Sequence, residues 1–150
     1  MAVRKIFKEG EDILAKKCRE VTKFDDNLSV LIDDMFETMK KAEGVGLAGP
    51  QVGILRRIAV VDTGTDRLEL VNPVITETDG IQIDFEGCLS VDSSKNCKVA
   101  RPYKVTVKAF DRHGKEFTGT YVGLTARCIC HELDHLDGVL FYTKEYKEEK

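Results

Sequence analysis

His131-Glu132-Leu133-Asp134-His135 carries the plainest chemistry in the sequence. Two histidines four apart project from one face of an α-helix and can hold a single metal ion. The glutamate between them lies about a quarter-turn round, placed to move protons on an activated water rather than to bind the ion. Catalytic metal sites usually have three protein ligands, so the pentapeptide needs a partner. Two cysteines compete for that place. Cys128 precedes His131 by three residues on the same helical face, although a small buried side chain lining a pocket reads equally well there. Cys88 lies in Phe85-Glu86-Gly87-Cys88-Leu89-Ser90, directly after a strand-like run, where glycine permits close backbone approach. A strand-borne cysteine crossing to the helix makes a more open tripod than three ligands on one helix, which favours Cys88, but spacing alone does not decide. Cys18, Cys97 and Cys130 read as bystanders. With no disulfide-scaffold spacing, the five cysteines read as free thiols or ligands in a reducing compartment.

Gly44-Val45-Gly46-Leu47-Ala48-Gly49 matches the dinucleotide pattern G-x-G-x-x-G letter for letter. That pattern must follow a strand and open a helix. Here a helical stretch precedes it and Pro50 follows. The segment reads instead as a loop of small residues against which a substrate backbone can lie, with Gln51 as the one polar side chain able to reach a cleft.

The elements that must position these groups follow from periodicity. Asp25-Asp26-Asn27 marks a helix start, and Leu28, Leu31, Ile32, Met35 and Met39 recur at helical spacing to about Lys41. Strand character follows at 57–62, 68–75, 81–85, 103–110 and 116–122, the last two joined by the turn signal Asp111-Arg112-His113-Gly114. A second helix over 124–136 is stopped by Asp137-Gly138. At about 100° per residue, Leu124, Cys128, His131 and His135 share one face of it, and Ala126, Ile129, Leu133 and Leu136 the opposite, core-facing side. The order implies an α+β fold: mostly antiparallel sheets packed around a C-terminal metal-binding helix, with an N-terminal helix.

At 150 residues the chain, 1–150, reads as one domain. A net charge of −3 with no long run of one sign gives no reason to expect nucleic acid as a partner. No apolar run approaches the roughly 20 residues of a membrane span, and the N-terminus lacks the apolar core of a signal peptide. A cytoplasmic location and a monomer are expected.

Three segments together resemble the peptide deformylases of bacterial type: Gly44 to Gly53, Glu86-Gly87-Cys88-Leu89-Ser90, and His131 through Gly138. They occur in the family's order and approximate spacing. The resemblance implies that Cys88, His131 and His135 bind the metal, Fe²⁺ in the cell, with Zn²⁺, Ni²⁺ or Co²⁺ able to occupy the same site. It implies removal of the formyl group from the N-terminal formyl-methionine of newly made polypeptides, releasing formate. Glu132 would be the general acid–base, and the Gln51 side-chain amide and the Leu89 backbone N–H the oxyanion donors. Substrate contacts would fall to Gly44, Gly46, Glu86 and Gly87 along the edges, with Val45, Leu124 and Cys128 at a pocket for the methionine side chain. Four positions depart from the family's usual residues: Gly49, Cys130, Asp92, and Gly10-Glu11-Asp12, which lacks a proline. The chain ends in a short mixed-charge segment, Lys144 to Lys150, unlike the longer basic helix by which some relatives dock on ribosomes; ribosome contact is therefore doubtful. A metallopeptidase and a catalytically silent protein that binds peptide N-termini are the alternative readings.

Overall fold

The computed structural model describes residues 2–147. Two α-helices, α1 (Asp26–Lys41) and α2 (Gly123–Leu136), accompany seven strands: β1 (Gly46–Ala48), β2 (Ile58–Asp62), β3 (Arg67–Asp79), β4 (Gln82–Glu86), β5 (Cys97–Arg101), β6 (Lys104–Phe110) and β7 (Glu116–Val122). One antiparallel sheet has the order β1-β2-β3-β6-β7, and β4 and β5 form a separate antiparallel pair.

The apolar run Ile58-Ala59-Val60-Val61 is unbroken because both faces of β2 are covered. Alternate side chains part to opposite sides. Ile58 and Val60, with Leu47 and Val71, pack against Leu28, Leu31, Ile32, Met35, Phe36 and Met39 of α1. Ala59 and Val61, with Ala48 and Leu70, pack against Ala126, Cys128, Ile129 and Leu136 of α2. The sheet thus lies between the two helices.

Asp25 caps α1 by accepting a hydrogen bond from the Leu28 N–H, satisfying one of the first-turn donors. At the end of α2, Gly138 takes a left-handed φ of 76° while Val139 N–H bonds back to Asp134 O. An added Cβ on Gly138 would meet Ala15 O at 2.6 Å, so the helix stop is also a close packing point.

Three expectations need correction. The glycine segment is not all loop: Gly46–Ala48 is an edge strand paired with Ala59–Val61, and Gly49–Val52 is a 3-10 turn. Such a small-residue strand has no alternation to read and is defined by its partner. Strand β5 was not anticipated, although it buries Cys97, Val99 and Arg101 in alternation. Its buried arginine broke the apolar pattern. Helix α2 is not two-faced either: Thr125, Arg127 and Cys130, outside the expected core stripe, are buried too, while Leu124 is exposed and Leu133 only partly covered.

Candidate active site

A cleft opens between the segment Glu43–Gly46, the end of β4 with Gly87–Leu89, and the first three turns of α2. Val45, Leu124, Cys128, His131 and Glu132 contribute to its walls. Each element delivers a side chain for a local reason. Helix α2 runs unbroken through His131 and His135, so the two rings project one turn apart and meet edge to face, 5.1 Å between centroids. Strand β4 stops at Glu86, and Gly87 turns the chain so that Cys88 faces the helix.

The Cys88 sulphur lies 3.2 Å from His135 Nε2. One donor atom each from Cys88, His131 and His135 fall within 4.8 Å of one another. Bonds of about 2.0–2.3 Å from a central ion place neighbouring donors roughly 3.3–3.8 Å apart, so this thiolate–imidazole set fits a single transition-metal ion. Cys128 stands apart from the set. Its thiol is buried and packed in the α2 core, and burial pushes it up to about 12, which keeps it a neutral S–H. Cys18, Cys97 and Cys130 are likewise buried outside the cluster.

Behind His131 stands an ionic network that sequence spacing did not reveal. The Glu86 carboxylate accepts from Arg101 Nε at 2.7 Å and Nη2 at 2.9 Å, from Arg127 Nη1 at 2.6 Å, and faces His131 Nδ1 at 2.8 Å. Burial alone would raise the Glu86 pKa, but the hydrogen bonds from Arg101 and His131 and their charges outweigh it and hold it near 2. Arg101 continues the chain to Asp134 at 2.7 Å, and Asp134 meets Lys144 at 3.1 Å. Glu86, expected at a substrate edge, therefore reaches the cleft wall with its carboxylate already committed. With Nδ1 engaged, His131 presents Nε2 to the ligand cluster. Burial, helped by the positive charge on His131, pushes His135 down to about 3, so that ring is neutral near pH 7, the form a metal ligand needs. Against burial, Glu132, Cys88 and Glu86 raise His131 to about 10, so an ion binding there must displace its proton.

Glu132 sits 4% exposed beneath Gly46, and its Oε1 has no hydrogen-bond partner among the described residues. Desolvation raises its pKa to about 7, only partly countered by His131. A carboxylate so placed exchanges protons near neutrality. Gln51, 1% exposed, has its orientation fixed: Oε1 accepts from Ala48 N–H at 2.9 Å, which turns Nε2 toward Ser90 Oγ at 3.1 Å and the Cys88 sulphur at 3.5 Å. Gly44 abuts Leu89, whose Cδ1 would lie 2.6 Å from an added Cβ.

The N-terminal segment clamps these pieces together, again without a sequence signal. Phe7 N–H donates to Gln51 O and Glu9 N–H to Ser90 O, each at 2.7 Å. Lys8 Nζ donates to Leu89 O at 2.8 Å, and Glu9 pairs with Lys95.

Such an arrangement of ligand cluster, buried carboxylate and open cleft suits hydrolysis of an amide, and the comparisons with known proteins agree with it. The chain is 53% identical over 144 residues to the peptide deformylase of Caldicellulosiruptor bescii, covering 96% of this chain and 86% of that one. It is 52% identical over 144 residues to peptide deformylase 1 of Clostridium acetobutylicum, covering 96% and 95%. The crystal structure of the Thermotoga maritima peptide deformylase superposes with a TM-score of 0.94 at 37% identity, covering 98% of this chain and all of that one. Since the polypeptide deformylase family model also matches residues 3–150, the chain belongs to that family.

Proposed function

We propose that this chain removes the N-formyl group from the N-terminal formyl-methionine of newly made polypeptides, releasing formate, as the family's enzymes do. The observation that carries the reading is the convergence of Cys88, His131 and His135 beside the buried Glu132 at the base of an open cleft. Cys88, His131 and His135 would hold a divalent ion, Fe²⁺ in the cell, with Zn²⁺, Ni²⁺ or Co²⁺ as substitutes. When bound, the ion supplies Lewis acidity, making a water nucleophilic near neutral pH and polarising the formyl carbonyl.

The protein's own groups do the rest. Glu132 takes the proton lost as the water oxygen bonds to the formyl carbon. It then delivers a proton to the amine nitrogen as the C–N bond breaks, a role worth roughly 10²–10⁴-fold. Formate and a free methionine amine are the products. Gln51 Nε2 and the Leu89 backbone N–H donate to the oxyanion that develops on the formyl oxygen. Gly44, Gly46 and Gly87 flank the peptide backbone, and the methionine side chain enters among Val45, Leu124 and Cys128. An extended peptide held along strand edges needs no particular sequence. No helix among the described residues is long and apolar enough to cross a membrane, and we place the enzyme in the cytoplasm, as a monomer. Residues 148–150 of the mixed-charge tail lie outside the described residues. Among the described tail residues, Glu145 and Tyr146 pair with β5.

The test is formate release from formyl-Met-Ala-Ser by protein purified without oxygen, with metal analysis of the same sample. Cleavage of internal peptide bonds with formate at background would favour a metallopeptidase, and peptide binding without turnover a silent receptor.

A further inference from the structure

Most large apolar side chains left exposed on this protein gather at one mouth of the cleft. Strand β4 pairs only with β5 among the described residues, so its other edge is free. Gln82 and Glu86 turn inward, Gln82 to Gly123 O at 2.7 Å and Glu86 to His131. By alternation Ile83 and Phe85, and Ile81 just before the strand, face outward, and all three are exposed, Ile81 at 74% and Phe85 at 63%. Tyr103, Val122 and Leu124 join them, gathered by the Gly123 N–H bond to Tyr103 O and the Gln82 bond to Gly123 O. Phe85 and Leu124 also line the cleft itself, so the apolar surface is continuous with it. A monomeric protein rarely leaves so contiguous an apolar surface without a use.

We infer that this apron binds the downstream residues of the peptide substrate and gives the enzyme a preference for large apolar side chains well beyond the formyl-methionine. The inference rests on the deformylase reading of the cleft. The chain direction supplies the path: β4 runs through Glu86 and Gly87 to Cys88, so a peptide whose N-terminus lies at Cys88 and whose body follows the free edge runs antiparallel to β4. At about 3.3 Å per residue and pairing one for one, its fourth, sixth and eighth residues come beside Phe85, Ile83 and Ile81. Side chains of even-numbered residues then share the outer face with Phe85, Ile83 and Ile81, because that of the first points inward to the pocket. The occupant is therefore an extended, uncharged apolar stretch of the newly made chain.

Two formylated octapeptides test this, formyl-Met-Ala-Ser-Ser-Ser-Ile-Ser-Ile and formyl-Met-Ala-Ser-Ser-Ser-Ser-Ser-Ser, with formyl-Met-Ala-Ser as the short reference. The expected result is a five- to tenfold lower KM for the isoleucine peptide at similar kcat. In the double variant Ile81→Ser/Ile83→Ser that ratio should fall to near one while turnover of formyl-Met-Ala-Ser is unchanged. Equal KM values in the wild type, or a preference that survives the double substitution, would overturn the inference. So would equal KM values accompanied by a concentration-dependent dimer in sedimentation that the double variant abolishes, because the apron would then join two copies. No turnover of formyl-Met-Ala-Ser would instead remove the deformylase reading, and this inference with it.

Discussion

Gly46→Ala probes how closely Glu132 must be placed. An added Cβ at Gly46 would lie 3.0 Å from Glu132 Cδ and 3.2 Å from Cγ, with Oε2 in hard overlap. Carbon pairs settle at about 3.5–4.0 Å, so the carboxylate must withdraw by roughly 0.5–1 Å. Because Glu132 is buried, no open solvent receives it. A displacement of about 1 Å in a reacting group can cost on the order of 10²-fold. The expected loss in kcat is therefore about 10²-fold, or ~2.7 kcal/mol of barrier. Complete removal of Glu132 sets the limit, roughly 10²–10⁴-fold. Metal content should not change, since none of the three proposed ligands is touched.

Stability gives an independent reading with an opposite sign in two backgrounds. In the wild type, crowding costs about 1–3 kcal/mol. It is offset by about 0.4–1 kcal/mol from the stiffer unfolded chain. The net change should be near zero to about 2.6 kcal/mol destabilising. With Glu132→Ala already present, the space is open and the same Gly46→Ala change should stabilise by about 0.4–1 kcal/mol. Formate release gives kcat, and denaturant melts of the four proteins complete the cycle. If Gly46→Ala left kcat intact, or destabilised both backgrounds equally, Glu132 would not be the group that glycine makes room for.

Cys88→Ser should lose or greatly weaken the metal, while Cys128→Ala keeps it at one ion per chain; metal analysis after dialysis distinguishes them, and the reverse result would reassign the third ligand. Glu86→Ala leaves Arg101 and Arg127 buried without their shared carboxylate, and should destabilise by about 3–5 kcal/mol in a denaturant melt. The gentler Glu86→Gln should lower metal affinity by about 10–100-fold by competition with a chelator, because His131 loses its orienting partner. Asp34 tests the N-terminal clamp through pH. A hydrogen bond from Ala2 N–H, reinforced against desolvation by Arg4, holds its carboxyl below the usual range. A depressed carboxyl contributes stability above the ordinary aspartate value, lost as pH falls through the folded one. The Tm gap between wild type and Asp34→Asn should therefore be full at pH 6–7 and shrink toward pH 3; a gap independent of pH would show that the charge plays no part.

The sequence disclosed whatever is local. His131 and His135 are four apart on a helix whose start and stop are written in its own residues, and α1 declares itself by period and cap. Cys88 stood out by its glycine and the strand before it, with Cys128 as the rival; packing places one sulphur 3.2 Å from His135 and the other in a core. Non-local pairing hid the remainder. Arg101 and Arg127 belong to types that normally mark solvent. Their burial is made tolerable by the Glu86 carboxylate they share, 15 and 41 positions away, with Asp134 as a second partner of Arg101 and Val99 O as a second acceptor for Arg127.

The same reasoning explains why the amphipathic reading of α2 was incomplete. A helix that is to carry the two proposed ligands and the proposed base has to be enclosed on the ligand side as well as the core side, or water would compete for the charges that set their pKa values. Phe141 stacks on His131 at 5.7 Å, β4–β5 brings Glu86 behind it, and Gly46 covers Glu132. Each cover comes from a segment remote in sequence, and none has a periodicity of its own. The N-terminal clamp extends the principle to the proposed oxyanion donors. Gln51 sits in the 3-10 turn and Leu89 in the loop after β4, and the segment Phe7–Glu9 bonds to both. A stretch with no periodicity of its own thus joins the direct Gln51–Ser90 bond in tying the two segments together.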